Sequence, residues 1–193
     1  MRKTWTLIVK FIACSLLVVV SILPARAQDA PDAALWSALA EGRAVAMMRH
    51  ALAPGGGDPA GFEIGNCATQ RNLSDEGRDQ ARAIGATFRE NGIEQAEVLT
   101  SQWCRCAETA RLLAIGDAVE FEPLNSFFQN RSQSLPQTQA LRDFLQQRPA
   151  ARPLVLVTHQ VNITALTGIF PRSGEIVFFT IDENGSVNVL GTI

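Results

Sequence analysis

The sequence predicts an α/β fold: a three-layer sandwich with a largely parallel central sheet flanked by helices, and a C-terminal β-hairpin. Three observations predict it. Short apolar runs of strand length alternate along the chain with longer stretches of helical periodicity. The run Pro153 to Thr158 (PLVLVT) is apolar throughout, as in a strand covered on both faces. Near the end, Glu175–Ile181 and Ser186–Leu190 flank Asp182-Glu183-Asn184-Gly185, a turn that closes on Asn-Gly.

Taken in order, residues 1–27 read as a secretory signal peptide rather than part of the fold. Met1-Arg2-Lys3 is a basic start, Phe11 to Leu23 an apolar core, and Ala25-Arg26-Ala27 a cleavage site of the A-x-A kind. The domain then spans 28–193. The rival reading is an uncleaved membrane anchor, against which the run is short and is interrupted by Lys10 on its amino-terminal side. Asp29 to Glu41 forms a helix with Leu35, Trp36 and Leu39 inward, Pro31 in its first turn and Gly42 as its stop. Ala44 to Met48 is a strand. Ala51 to Asn72 is a long Gly- and Pro-rich loop without periodicity, of the kind that often carries function.

Ser74 caps a helix through Asn91, with Ala81, Ile84, Gly85 and Phe88 on one face. Glu97 to Ser101 is a strand and Trp103 to Ile115 a helix. Ala118 to Glu122 alternates weakly and admits a short strand. Pro123 to Ser134 is irregular. Pro136 to Arg148 is a helix with Leu141, Phe144 and Leu145 inward. After the strand Pro153–Thr158, Val161 to Thr167 starts a helix that Gly168 ends.

Removal of residues 1–27 leaves 13 Arg, no Lys and 19 acidic residues, a formal charge of −6. An acidic exported domain is a poor candidate for nucleic-acid binding, which depends on surplus basic charge. Arginines gathered in one place would then form a local anion site. Three cysteines remain, Cys67, Cys104 and Cys106. An oxidising compartment permits a disulfide, and Cys67 with either Cys104 or Cys106 is the preferred pairing, since Cys104–Cys106 would be a strained ring. Neither histidine has metal-ligand spacing to a cysteine, so a zinc site is not expected; no cofactor is expected either.

The chain has two histidines, and both end apolar runs: Arg49-His50 after Ala44–Met48, and His159 after Pro153–Thr158. In an open α/β sheet, ligands bind beyond the carboxyl ends of the strands, so one site containing both is expected. Ser101 to Ala110 (SQWCRCAETA) lies where a strand gives way to a helix. Its free backbone N–H groups suit an anion, and Arg105 in the first turn could share the crevice with Arg49.

MRHA at Met48–Ala51, RNLSDEGRDQAR at Arg71–Arg82, SQWCRCAETA at Ser101–Ala110 and VTHQ at Val157–Gln160 together resemble the histidine phosphatase superfamily, in its order and with its approximate spacing. The resemblance implies a phosphoglycerate mutase-like fold and a metal-independent phosphoric monoester hydrolase. It implies His50 as the nucleophile that becomes phosphohistidine, Arg49 and Arg105 as a phosphate clamp, His159 as the second histidine on the transferring group, and Arg71 as a further ligand. The stretch Cys67–Ser74, the SQWCRC motif and the THQ ending look most like the subgroup of lipopolysaccharide core heptose phosphatases.

Two departures stand out. Ser126 follows Leu124-Asn125 where the mutase-like branch places a glutamate, and Gln160 follows His159 where the acid-phosphatase branch places an aspartate. Neither usual proton donor is present. Glu63, Asp58 and Glu122 are the other carboxyls that could act. The expected partner is a small-molecule or envelope-linked phosphate ester in the periplasm or a comparable exported space. Phosphohistidine or phosphoramidate hydrolysis, or phospho-ligand binding without turnover, are the alternatives.

Overall fold

The computed structural model describes residues 29–149 and 152–193. The expected signal segment, 1–27, lies outside the described residues. The order is α1 (Asp29–Ala40), β1 (Val45–Arg49), α2 (Asp75–Glu90), β2 (Glu97–Thr100), α3 (Cys104–Leu113), β3 (Ala118–Glu120), α4 (Ser134–Gln147), β4 (Leu154–Thr158), α5 (Gln160–Thr167), β5 (Ile176–Ile181) and β6 (Val187–Thr192). The six strands form one sheet in the order β3-β2-β4-β1-β5-β6. β3, β2, β4 and β1 are mutually parallel, β5 pairs antiparallel with β1, and β6 pairs antiparallel with β5 as the expected hairpin. Among the described residues no helix is long and apolar enough to cross a membrane.

Strand parity sorts the layers, because successive side chains point to opposite faces. Ala46, Met48, Val155, Val157 and Phe178 pack with Trp36 and Leu39 of α1, Phe88 of α2 and Ala110 and Leu113 of α3. Met47, Leu154, Leu156, Val177 and Phe179 pack with Leu141 and Leu145 of α4 and Ile163 and Leu166 of α5. β4 is buried at all five positions, as its unbroken apolar run requires. Trp36 meets Phe88 and Phe178 edge-on, with ring centroids 5.0 and 5.1 Å apart.

Helix α2 begins where Ser74 accepts a hydrogen bond from the Gly77 amide, 3.1 Å, with Asp75 and Glu76 at the positive end of the dipole. Its Gly85 lets α3 approach: a Cβ there would stand 2.1 Å from the Leu113 carbonyl oxygen. Helix α4 starts at Ser134, two residues before the expected Pro136, which falls within its first turn, where a missing N–H costs no helical bond. The stretch Pro123–Ser134, read as irregular, overlaps two 3-10 turns, Glu122–Leu124 and Arg131–Gln133, and its last residue opens α4.

The long loop is tied down by a disulfide between Cys67 and Cys104, with Cα atoms 5.7 Å apart. Cys106 is free and buried. Of the two pairings left open, the structure selects the one at the first residue of α3.

Candidate active site

The site forms where β1, β2 and β4 end. Register sets it: Arg49 lies beside Thr158, and the His50 amide donates to the Thr158 carbonyl at 2.9 Å. His50 and His159 share the parity of Met48 and Val157, so both rings turn towards α3. Arg49 shares the parity of Met47 and turns towards the α5 side, where its Nη1 donates to the Pro171 carbonyl at 3.1 Å. The structure therefore brings together His50, His159, Arg49, Arg71 and Arg105, all lining one cleft of about 140 Å³ with Asp58, Trp103, Ser126, Phe128 and Gln160.

His50 is 2% exposed. Its Nδ1 lies 2.8 Å from the Ala51 carbonyl oxygen, which can only accept, so Nδ1 carries the proton and Nε2 the lone pair. Nε2 faces the Arg105 Nε at 3.3 Å. Burial, together with the charges of Arg105, Arg71 and Arg49, outweighs the Ala51 bond and lowers the His50 pKa to about 3. The ring is neutral at any ordinary pH.

His159 is also neutral, its pKa pushed well below 6.5 by burial first, then by His50 and the three arginines. Its tautomer follows from its neighbours. Ser101 Oγ lies 2.9 Å from His159 Nε2 and 3.2 Å from the Asn125 Oδ1 acceptor. Arg105 Nη2, which can only donate, lies 3.4 Å from Nδ1. So Nε2–H donates to Ser101, whose hydroxyl donates to Asn125, and the Nδ1 lone pair faces Arg105. The two imidazoles stand edge to face, 5.5 Å between centroids, with one lone pair each turned to the same guanidinium.

Arg105 is 3% exposed and forms an ion pair with Asp58, whose side chain is 6% exposed. Thr109 fixes the turn by donating to the Arg105 carbonyl at 2.6 Å and accepting from the Ala51 amide at 3.1 Å. Arg71 donates through Nε to the Gly57 carbonyl at 2.8 Å and through Nη1 to the Ala53 carbonyl, holding the glycine loop against the cleft. Gly55 and Gly57 have φ of +95° and +67°, which a side chain would strain. Burial and the mutual repulsion with Arg105 lower the pKa of Arg49 and of Arg71, in each case from the high value of an arginine. Among the described residues the Arg49 Nε is one of two buried polar side-chain atoms without a hydrogen-bond partner. A buried unpaired donor in a positive cleft is a position an anion would satisfy.

Three expectations need correction. The start of α3 offers fewer free N–H groups than expected: the amides of Gln102, Trp103 and Cys104 donate to Asn125 Oδ1, Ser101 Oγ and Gln70 Oε1 at 2.9, 3.3 and 2.9 Å, and the Cys106 amide donates to the Trp103 carbonyl at 2.8 Å. The positive charge at this helix start comes from the Arg105 side chain. Glu63 and Glu122 are exposed and outside the cleft lining: the Glu63 carboxylate accepts from Asn66, and Glu122 opens a 3-10 turn in which only Leu124 is buried. Asp58, the third carboxyl considered, does line the cleft. Sequence reasoning missed the Ser101–Asn125 pair behind His159, although both residues stand beside motifs already recognised. Among the described residues, no group of three or more His, Cys, Asp or Glu side chains is placed to hold a metal ion.

Two imidazole lone pairs and three guanidiniums in one cleft of an α/β fold make a charge and donor pattern that suits a phosphate-like oxyanion. Residues 46–127, which carry His50, Arg71 and Arg105, match the sequence model of the histidine phosphatase superfamily (branch 1). No curated protein matches the chain.

Among solved structures, the fold resembles the protein histidine phosphatase SixA complexed with tungstate. The TM-score is 0.55 at 16% identity over 78% of this chain and 96% of that one. It also resembles a mycobacterial glucosyl-3-phosphoglycerate phosphatase, with TM-score 0.55 at 13% identity over 76% and 96%. A third neighbour is an Entamoeba histolytica phosphoserine phosphatase in complex with 3-phosphoglyceric acid, with TM-score 0.54 at 15% identity over 77% and 95%. At these identities the likeness establishes the shared fold.

Proposed function

We propose that this protein is an exported phosphomonoesterase that works without a metal through a phosphohistidine on His50. The observation that carries the reading is the His50 ring itself: buried, neutral, with Nδ1–H bonded to the Ala51 carbonyl and the Nε2 lone pair turned into a cleft of arginines. A neutral imidazole nitrogen is a competent covalent nucleophile.

In this reading Nε2 attacks phosphorus, the P–O bond to the alcohol breaks, and water then attacks the phosphohistidine to release phosphate and restore the ring. Arg49, Arg71 and Arg105 offset the charge that spreads over the equatorial oxygens. Three guanidiniums against the one Asp58 carboxylate leave a double positive charge beside two neutral imidazoles, which suits a phosphate monoester dianion. His159, oriented by Ser101, contacts the transferring group through Nδ1.

The signal-like start supports an exported, periplasmic setting and therefore an envelope phosphate as substrate. The motifs Cys67–Ser74, SQWCRC and THQ support a sugar phosphate of the kind handled by lipopolysaccharide core heptose phosphatases. Among the described residues the cleft contains no carboxyl beyond Asp58, and this favours a second reading in which the bond broken is a phosphoramidate such as phosphohistidine.

Hydrolysis of p-nitrophenyl phosphate by residues 28–193, with and without chelator and beside His50→Ala, tests the proposal. Turnover that survives chelator and vanishes in the variant supports it. Activity that depends on added metal, or that persists in His50→Ala above a tenth of wild type, contradicts it.

A further inference from the structure

We infer that Asp58 is a positioning residue: it holds one edge of the Arg105 guanidinium and so turns the other edge to the point between His50 and His159 where a phosphoryl group would be transferred. The inference rests on the phosphatase reading above and assigns the cleft's one carboxylate a part in it.

All the guanidinium contacts can be accounted for. At the end of the fork, Nη1 and Nη2 donate to the two Asp58 oxygens at 2.6 and 3.2 Å, and Nη1 also reaches the Arg71 carbonyl at 3.3 Å. Along the side, Nε and Nη2 face His50 Nε2 and His159 Nδ1 at 3.3 and 3.4 Å. The two edges differ in strength. The first is a bidentate, charge-assisted pair, and the second is two long contacts to neutral rings. An arriving phosphate dianion displaces the weaker set. It takes the side edge of Arg105 and leaves the Asp58 pair in place, and in doing so frees the His50 lone pair for attack.

Asp58 is itself held from several directions. The Trp103 indole Nε1 donates to Oδ2 at 3.0 Å and the Arg71 amide to Oδ1 at 3.4 Å. Trp103 stacks on Phe62 at 4.9 Å between centroids. Gly55 and Gly57, immediately before it, take the left-handed backbone that the tight loop carrying Asp58 uses. Such a group is built to stay ionised: burial opposes its charge, but the Arg105 bonds and charge, with the Trp103 bond, hold its carboxyl below the usual range. With both oxygens accepting from cations or N–H groups, it has no proton to give at neutral pH.

A proton donor and a positioning residue respond differently to the leaving group. In the positioning role, Asp58→Asn lowers kcat by ~10²-fold through misplacement of the guanidinium. The loss is then the same for p-nitrophenyl phosphate as for phenyl phosphate, whose leaving group needs a proton. In an Arg105→Lys background the same change costs less than about twofold further, because the two act as one unit. A loss at least tenfold larger on phenyl phosphate would make Asp58 the proton donor, and equal losses in both backgrounds would show that it acts apart from Arg105. Either result overturns the inference.

Asp58→Glu is the companion variant should Asp58→Asn not fold. It keeps the charge but shifts the fork by a methylene, and the same pattern is expected at about a tenfold loss. Inactivity of the wild type on both esters would count against the phosphatase reading alone. The positioning role is then read from the Arg105 Nε–H signal in nitrogen-15 spectra, assigned by its absence in Arg105→Lys. It is expected to be protected in the wild type and lost in Asp58→Asn, and an unchanged signal in that variant overturns the inference.

Discussion

Opening the Cys67–Cys104 disulfide perturbs both stability and the site. The bridge joins residues 37 apart in sequence. In the chain-entropy account, a loop of that length removes about 4 kcal/mol of freedom from the unfolded chain. For a domain of this size each kcal/mol moves the melting temperature by roughly 2–4 °C, so Cys67→Ser/Cys104→Ser should melt about 8–15 °C lower. Activity should fall as well, because Cys104 directly precedes Arg105 and the bridge fastens the end of the glycine-rich loop to the first turn of α3. The Gln70 side chain, which accepts from the Cys104 amide at 2.9 Å, retains part of that join. Thermal unfolding by circular dichroism, with urea titration for the m-value, measures the effect. Reduced wild type should match the double variant, since Cys106 is buried and free in both. A melting point within 2 °C of wild type at unchanged m-value would refute the argument that the bridge removes this freedom from the unfolded chain.

Gly85→Ala places a Cβ 2.1 Å from the Leu113 carbonyl oxygen and should force α2 and α3 apart at a cost of roughly 1–3 kcal/mol; chemical denaturation that shows no loss would refute the close approach. Arg105→Ala should lower both phosphate affinity and kcat, while unchanged kinetics would place the guanidinium outside the reaction. The His50 pKa is about 3 in the fold against about 6.5 in the unfolded chain. The unfolded state therefore binds the proton first as pH falls, and the stabilisation present above pH 6.5 is lost on the way down. Between pH 6.5 and 5 this amounts to about 2 kcal/mol for His50, with His159 adding in the same direction. Urea titrations across that window should show stability falling with acidification, and a smaller slope in His50→Gln; a slope that His50→Gln leaves unchanged would contradict the buried neutral ring.

Much of the fold was legible because its strands are simple. β4 announces itself as an unbroken apolar run, and β1 ends in a charge where the buried layer ends. The parity that sends Met47 and Met48 to opposite layers is the same parity that turns His50 and His159 to one side. The cysteine pairing was also within reach. Cys106, Ala110 and Leu113 fall at i, i+4 and i+7, a core-facing stripe, which leaves Cys104 on the outer side for Cys67.

Asp58 was not legible in its present role. It sits in GGGDP, where no periodicity operates, and meets Arg105 across 47 residues of sequence. Its contact depends on left-handed glycines and on a tryptophan from another element. The Ser101–Asn125 support of His159 was hidden for the same reason, since a hydrogen bond from the end of a strand to a distant 3-10 turn leaves no repeat in the chain.

The central claim is a covalent bond between phosphorus and His50 Nε2. Rapid mixing of phosphorus-32-labelled substrate with enzyme, followed by denaturation in base, tests it most directly. Label bound to the protein, stable to base, released by acid and absent from His50→Ala, is the expected result. Turnover by the wild type with no label trapped at any mixing time, or equal labelling of the variant, would contradict it.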